Sequence, residues 1–412
     1  MVKNLTLKLF PVLLSLLFIF PLLKESISSF IIILICINTI CYKIASKEYS
    51  FIDYKTALLT IPFWIILVNS VFVNTFGKSI TPLQHALFFL IIPVFFSLIP
   101  KQFFTLEKIN SYLTILKKTC LLIAVIYIFS FFINRPSSEF FVVFQNVSSF
   151  RNYIYYDFTL FTIHPTYYTT ILILCAAHSF NRVLNDKKYI ELLYILFFLL
   201  ISFLLLTRLT IILFVLVLIG MLLFRGKIET KQRVVLTAIT IGLITALSLL
   251  TPGIKTRFIE LYNSYNKPPV NVSYDSTNIR KAILDCSITI SKENFLYGIG
   301  FENLQAKLNE CYGEHYDSSF YKSQNYLTHN YYFYILVSSG IIGFLFYICY
   351  LIFVIQTCLK TNVFLFKIFL FSTLIVCLIE DYLYRHYGVL YFNLLLICFI
   401  QYHKNYNSNK LT

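Results

Sequence analysis

Charge is what this chain has least of: Asp, Glu, Lys and Arg make up 13% of its 412 residues, while 58% are hydrophobic. A soluble domain carries about a quarter of its residues as charges because its surface faces water, so an ordinary soluble fold is excluded. Ten cysteines are present, but none stands in a CxxC or CxxxC spacing, which removes zinc-type sites. No A-x-A-like cleavage site follows the first apolar run, so that run is kept as a helix rather than read as a removable signal. No internal repeat is visible. Gly298-Ile299-Gly300 lacks a preceding strand and the full GxGxxG, so a dinucleotide-binding turn is unsupported.

What is there is a series of apolar runs long enough to cross a bilayer, which takes about 20 helical residues. They lie near 9–23, 27–45, 56–73, 82–99, 118–133, 162–180, 189–206, 209–224, 234–250, 330–356, 362–379 and 386–402. The sequence therefore predicts an all-α integral membrane protein with about twelve transmembrane helices. Nine helices fill 1–251, a large loop fills 252–328, and three more helices fill 329–412. The net charge of +15 is then an orientation signal. With the N-terminus cytoplasmic, the inside segments hold twenty Lys and Arg against six in the short outside loops. That asymmetry puts both termini inside, so a nucleic-acid partner is not needed to explain the positive charge.

Two outside segments are long, 134–161 and 252–328, and loops of such length are usually functional or disordered. The second has helical character. After Asp275-Ser276-Thr277-Asn278, which offers N-cap residues, apolar positions fall at Ile279, Ala282, Ile283, Cys286 and Ile290, the spacing of an amphipathic helix. That helix is expected to begin near Asn278 and to leave through a turn at Gly298 and Gly300. Eight cysteines lie in or beside apolar runs; only Cys286 and Cys311 lie in the long polar segment. A disulfide between them is expected, as the outer compartment is oxidising.

Three residues on the outer side can carry chemistry. Arg208, in LLLTRLTIILF, stands in a short turn between two spans, where an arginine must snorkel, pair or meet an anion. Arg280 falls in the first turn of the loop helix, where a cation opposes the helix dipole unless a bound anion reverses the sign. The plain alternative for it is a pair with Asp275 or Asp285. His329 stands where the long loop re-enters the membrane, and its imidazole can take a proton from a hydroxyl near neutral pH. His164, in FTIHPTYYTT, and Arg257 are further candidates. Tyr326, Tyr331, Tyr332 and Tyr334 read as an interfacial aromatic belt or as sugar platforms. Glu380, Asp381 and Arg385 read as a structural trio, with Asp381 and Arg385 spaced as an i, i+4 pair.

Taken in order, the Thr207-Arg208 turn, Arg280, ENFLYGIGFENL, His329-Asn330 and the following Ser338-Ser339-Gly340-Ile341-Ile342-Gly343 resemble the O-antigen ligase family. That superfamily also includes some O-antigen polymerases and O-linked oligosaccharyltransferases. The resemblance is motif-level from about 200 to 345; Phe295-Leu296 stands where a proline is common. It implies a metal-independent, inverting glycosyltransferase of the bacterial inner membrane with no cofactor, its large loop and active site facing the periplasm. It also implies that His329 is the general base, with Asn330 beside it, and that Arg208 and Arg280 hold the diphosphate. The donor would be an undecaprenyl-diphosphate-linked glycan. The acceptor would be lipid A-core, or another glycan or a protein hydroxyl in a polymerase or protein O-oligosaccharyltransferase. A lipid-linked sugar transporter or flippase is the competing class. It would favour polar residues inside the spans or paired broken helices in two repeated halves, whereas here polar residues concentrate outside.

A reporter fused after Asp275 tests the orientation. Activity from one that works only outside the cytoplasm is expected; cytoplasmic activity at that point would reverse every assignment above.

Overall fold

The computed structural model describes residues 2–47, 53–73, 80–144, 147–161, 163–224, 254–264 and 266–411, with a few positions between 234 and 246. The expected span at 234–250 lies outside the described residues. The chain is helical from its start: α1 Val2–Leu17, α2 Glu25–Ser46, α3 Tyr54–Leu59, α4 Ile61–Phe72, α5 Thr81–Ser97 and α6 Leu106–Asn134. A two-residue hairpin pairs Val143–Phe144 with Val147–Ser148. It leads into α7 Ser149–Asn152, α8 Pro165–Asp186, α9 Glu191–Leu204 and α10 Arg208–Phe224. The polar segment supplies α11 Ile254–Ser264, α12 Ser276–Glu293, α13 Leu304–His315 and α14 Phe320–Ser323. The chain then continues through α15 Tyr331–Leu359, α16 Phe364–Val376 and α17 His386–Leu411.

Among the described residues, α2, α6 and α15 are long and apolar enough to cross a membrane, and shorter apolar helices accompany them at α4, α5, α9, α10 and α16. Apart from the short hairpin, the described residues form a helical membrane protein. Its centre is α8, whose residues 165–180 are all buried against α6, α9, α10 and α16. Most of its polar residues tolerate that position because their hydroxyls are bonded internally. Thr169 and Thr170 donate to the carbonyls of Pro165 and Thr166, Tyr168 donates to Cys120 O at 2.6 Å, and Tyr167 donates to Asp381 O at 3.0 Å.

In the polar segment, α12 begins at Ser276, two residues before the expected start, because Asp275 is its N-cap. The Asp275 carboxylate accepts from the N–H groups of Thr277 and Asn278 at 2.8 and 2.9 Å, and Asn278 Oδ1 accepts from Asp275 N–H. This reciprocal arrangement satisfies the donors a helix start leaves open. The face carrying Ile279, Ala282, Ile283, Cys286 and Ile290 is buried. Cys286 is joined to Cys311, with Cα atoms 5.9 Å apart, tying α12 to α13.

The glycine motifs form one joint. Gly340 sits inside α15 at φ 63°, a break in the helix. The turn after α12 repairs the interrupted ladder: Ile299 and Gly300 donate to Val337 O and Ser338 O at 3.1 and 2.9 Å, and Ile341 donates to Phe295 O at 2.8 Å. Both backbones approach so closely that a side chain fits at neither glycine. A Cβ on Gly340 would meet Leu296 O at 2.3 Å, and one on Gly298 would meet Ser338 O at 2.4 Å.

The four tyrosines at the loop's return do not form an exposed belt. Tyr331 and Tyr334 are buried and stacked 5.4 Å apart, and Tyr332 donates to Leu374 O at 2.9 Å. Tyr331 and Tyr334 turn inward because residues 331 onward are already helix, packed against the neighbouring helices, whereas Tyr326, ahead of the helix, and Tyr332 stay partly exposed.

Gly340→Ala and Gly298→Ala should each lower stability by 3 kcal/mol or more, an order-of-magnitude figure for steric strain at a positive-φ site. Gly220→Ala is the control: nothing lies within 4 Å of its added Cβ, and in a helix interior the change should be neutral or favourable by up to about 1 kcal/mol. Thermal unfolding of the detergent-purified proteins reads all three, and equal melting of the joint variants and the control would contradict the joint.

Candidate functional site

The start of α10 is set by the preceding turn. Leu206 adopts φ 49°, a left-handed conformation costly for a bulky residue. It is held from outside: Arg151 Nη1 donates to Leu205 O at 2.6 Å and Leu206 O at 3.0 Å, and Ser148 Oγ donates to Leu204 O. The segment around α7 therefore clamps the turn that presents Arg208. The Arg208 guanidinium reaches Ser276 Oγ at 2.7 Å and the buried carboxylate of Glu260 at 3.2 Å.

Arg280 lies beyond the first turn of α12 because the helix starts earlier than expected. The N–H groups of Thr277 and Asn278 are already bonded to Asp275, so anion binding at this helix start reduces to the guanidinium. The guanidinium turns to Glu380 rather than to Asp275 or Asp285. Its Nη1 donates back to Ser276 O and its Nη2 to Glu380 Oε1, both at 3.2 Å, while Nε is buried without a hydrogen-bond partner. Ser276 thus touches both arginines, Arg208 through its hydroxyl and Arg280 through its carbonyl.

His329 is held by its backbone. Its φ is 43°, and Asp381 fixes the turn by accepting from Thr328 Oγ1 at 2.5 Å, His329 N–H at 2.9 Å and Asn330 N–H at 3.2 Å. The Asn330 side chain caps α15, accepting from the N–H groups of Tyr332 and Phe333; it positions the turn and does not line the cavity. The imidazole Nδ1 lies 3.4 Å from Glu380 Oε2, an ion-pair distance without hydrogen-bond alignment. Asp381 therefore does not form the expected i, i+4 pair with Arg385. Residues 377–385 are turns rather than helix, so that spacing has no meaning there.

These groups surround one cavity of about 160 Å³, lined by Arg151, Arg208, Arg280, His164, His329 and Glu380. Three guanidinium groups and two imidazoles face a single lining carboxylate. Burial would raise the Glu380 carboxyl, but His329 and the Arg280 guanidinium outweigh it and hold it below the ordinary carboxylate range. Burial raises Asp381, offset in part by His329 and the Thr328 hydroxyl. His164 is the N-cap of α8, its Nδ1 accepting from Thr166 N–H at 3.2 Å. Arg257 lies on α11, and its side chain is outside the described residues.

The structure brings together Arg208, Arg280, His329 and His164. Sequence reasoning missed Arg151, counted only as an outer-loop charge, and Glu380, read as structural. The signal for both was present: a cation in the other long outer loop, and two adjacent carboxylates at a span end facing an excess of cations.

The chain is thus a helical membrane protein with a cavity whose wall is mainly cationic and includes a histidine. Residues 193–348 match the family model described as O-Antigen ligase. The matched segment contains Arg208, Arg280, His329 and both halves of the glycine joint, whereas Arg151, His164 and Glu380 lie outside it. No curated relative matches the chain. The family is glycosyltransferase-like, with a lipid-linked glycan and an acceptor as its partners in general.

Glu380 gives a pH signature. A carboxyl held low in the folded state contributes stability that is present above its unfolded value, about 4.3, and is lost as pH falls through the lower folded value. Glu380→Gln should lower stability at pH 7 by about 1–3 kcal/mol. The gap to wild type should stay level between pH 8 and 5 and close on further acidification. Melting curves across that range check it; a gap that widens in acid would mean the carboxyl is not held low.

Proposed function

We propose that this protein transfers a glycan from undecaprenyl diphosphate to an acceptor hydroxyl, of the lipid A-core type, by metal-independent inverting displacement at the cavity around His329. The observation that carries this reading is the convergence of Arg151, Arg208, Arg280 and His329 on one cavity with a single lining carboxylate. Such a cavity favours a multiply charged anion, and the partnerless Arg280 Nε offers it a further donor.

In the reaction, the acceptor oxygen attacks the anomeric carbon while the bond from that carbon to the diphosphate oxygen breaks. The electron pair leaves with the diphosphate. Negative charge grows on that group in the transition state, so guanidinium groups already in place stabilise it more than the ground state. Arg208 and Arg280 are the diphosphate ligands in this reading. Arg151 holds the Arg208 turn and adds charge to the wall. The acceptor proton goes to His329 Nε2, with Nδ1–H turned toward Glu380. A carboxylate behind the imidazole fixes its tautomer and stabilises the imidazolium that forms. The 3.4 Å separation suits a contact that tightens when substrate binds.

The same reading sets the protein in the bacterial inner membrane with about twelve spans and both termini cytoplasmic. The site and the 252–328 unit face the periplasm. A capsule or O-antigen polymerase and a protein O-oligosaccharyltransferase share the donor chemistry and differ in the acceptor.

His329→Ala should reduce transfer by about 10²–10⁴, the usual contribution of a positioned proton acceptor, while donor binding persists. Arg208→Lys and Arg280→Lys keep charge but lose the planar fork that grips phosphate oxygens, so donor binding should weaken along with turnover. Transfer and binding assays with purified variants separate the two patterns. Normal transfer by His329→Ala would remove the mechanism.

A further inference from the structure

A second, larger cavity lies at the opposite ends of the helices that frame the first. α8 carries His164 at its start and Asp186 at its end; α15 follows His329 and ends before Lys360. The 22 residues of α8 span about 33 Å at 1.5 Å per residue, so the two cavities are separated by roughly the thickness of a bilayer core. The second cavity measures about 620 Å³ and is walled by the first turns of α6, the last turns of α8, the α15–α16 connection and the end of α17.

Its chemistry differs from the first. Two cations, Arg182 and Lys360, are matched by two carboxylates, Glu107 and Asp186. Arg182 is engaged besides, at 2.8 Å from the buried Glu191 and 3.7 Å from Asp186. The wall has no excess charge to draw a diphosphate. It carries instead the amides of Asn110, Asn181, Asn185 and Asn362, the hydroxyls of Ser111 and Thr114, and the rings of Tyr402 and Tyr406. Carboxamides both donate and accept, as sugar hydroxyls do, and aromatic rings offer apolar faces to the C–H side of a pyranose. A second observation points to a ligand: His178, 1% exposed, lines this cavity, and its Nδ1 has no hydrogen-bond partner. A buried polar atom left unpaired is unfavourable.

We propose that this cavity is a second binding site, for a neutral, hydroxyl-rich ligand of the carbohydrate class, at the face opposite the cationic cavity. The site stands on its own residues and does not depend on the transfer chemistry assigned to His329. Its volume suits one or two sugar units, and His178 Nδ1, the amides and the tyrosine rings supply contacts of both polarities.

The test uses full-length protein in nanodiscs, with methyl α-glucoside, methyl β-galactoside and methyl N-acetylglucosaminide as probes and saturation-transfer NMR as readout. At least one glycoside should bind saturably, in the millimolar range. Asn362→Ala and His178→Gln should each weaken it tenfold or more, and Arg208→Lys should leave it unchanged. Asn362 lies on a connection between helices, so its variant carries the test if His178→Gln does not fold. Absence of saturable binding by all three probes would overturn the proposal, as would binding indifferent to Asn362→Ala. Displacement of the bound glycoside by inorganic diphosphate in the Arg208→Lys background would overturn the neutral character assigned to the site.

Discussion

One carboxylate among cations organises the cationic cavity. Glu380 offers one oxygen to Arg280 and the other to His329. Arg208 is held by Glu260 and Ser276, and Arg151 by the carbonyls of Leu205 and Leu206; without Glu380, Arg280 and His329 would have no shared anchor and would meet only the repulsion of like charges. A single acid satisfies this constraint without neutralising the cavity. It draws α12 and the 328–330 turn toward the end of α16, and the positive excess that remains is what an anionic substrate can use. The neighbouring Asp381 acts on the backbone, holding residues 328–330 in a conformation that an unsupported chain would leave.

The rest of the fold serves the same placement from farther away. The glycine joint locks the turn after α12 to the break in α15, so Arg280 and His329 are mounted on elements that cannot slide independently. The Cys286–Cys311 bond ties α12 to α13. Arg151 and Ser148 fasten the α9–α10 turn, and that turn sets where Arg208 points. The polar interior of α8 is tolerated because its hydroxyls donate to nearby carbonyls, which lets His164 enter the cavity from a buried helix.

Much of this was readable from residue order. The apolar runs indicated a helical membrane protein, and the periodicity from Ile279 to Ile290 gave α12 and its buried face. Arg208 stood out because an arginine at a span end is costly unless it snorkels, pairs or meets an anion, Arg280 because a cation opposes the dipole at a helix start, and His329 because an imidazole takes a proton near neutral pH; their order resembled a family. What escaped depends on contacts between distant segments. The role of Glu380 follows from the chain ceasing to be helical at 377, which an i, i+4 reading of Asp381 and Arg385 could not reveal. Arg151 acts on carbonyls more than fifty positions away. The start of α12 moved because several N-cap residues stood side by side and Asp275 made both reciprocal bonds. Tyr331 and Tyr334 have a composition suited to an interface, yet helix phase turns them inward.

The central claim is that a lipid-borne diphosphate sits between Arg208, Arg280 and His329. A structure determined with an undecaprenyl-diphosphate-linked donor bound tests it most directly. The account predicts phosphate oxygens within hydrogen-bond distance of the Arg208 and Arg280 guanidinium groups, including Arg280 Nε, with the anomeric carbon on the His329 side. A diphosphate resting elsewhere, or one bound with both arginines still engaged only by Ser276, Glu260 and Glu380, would contradict it.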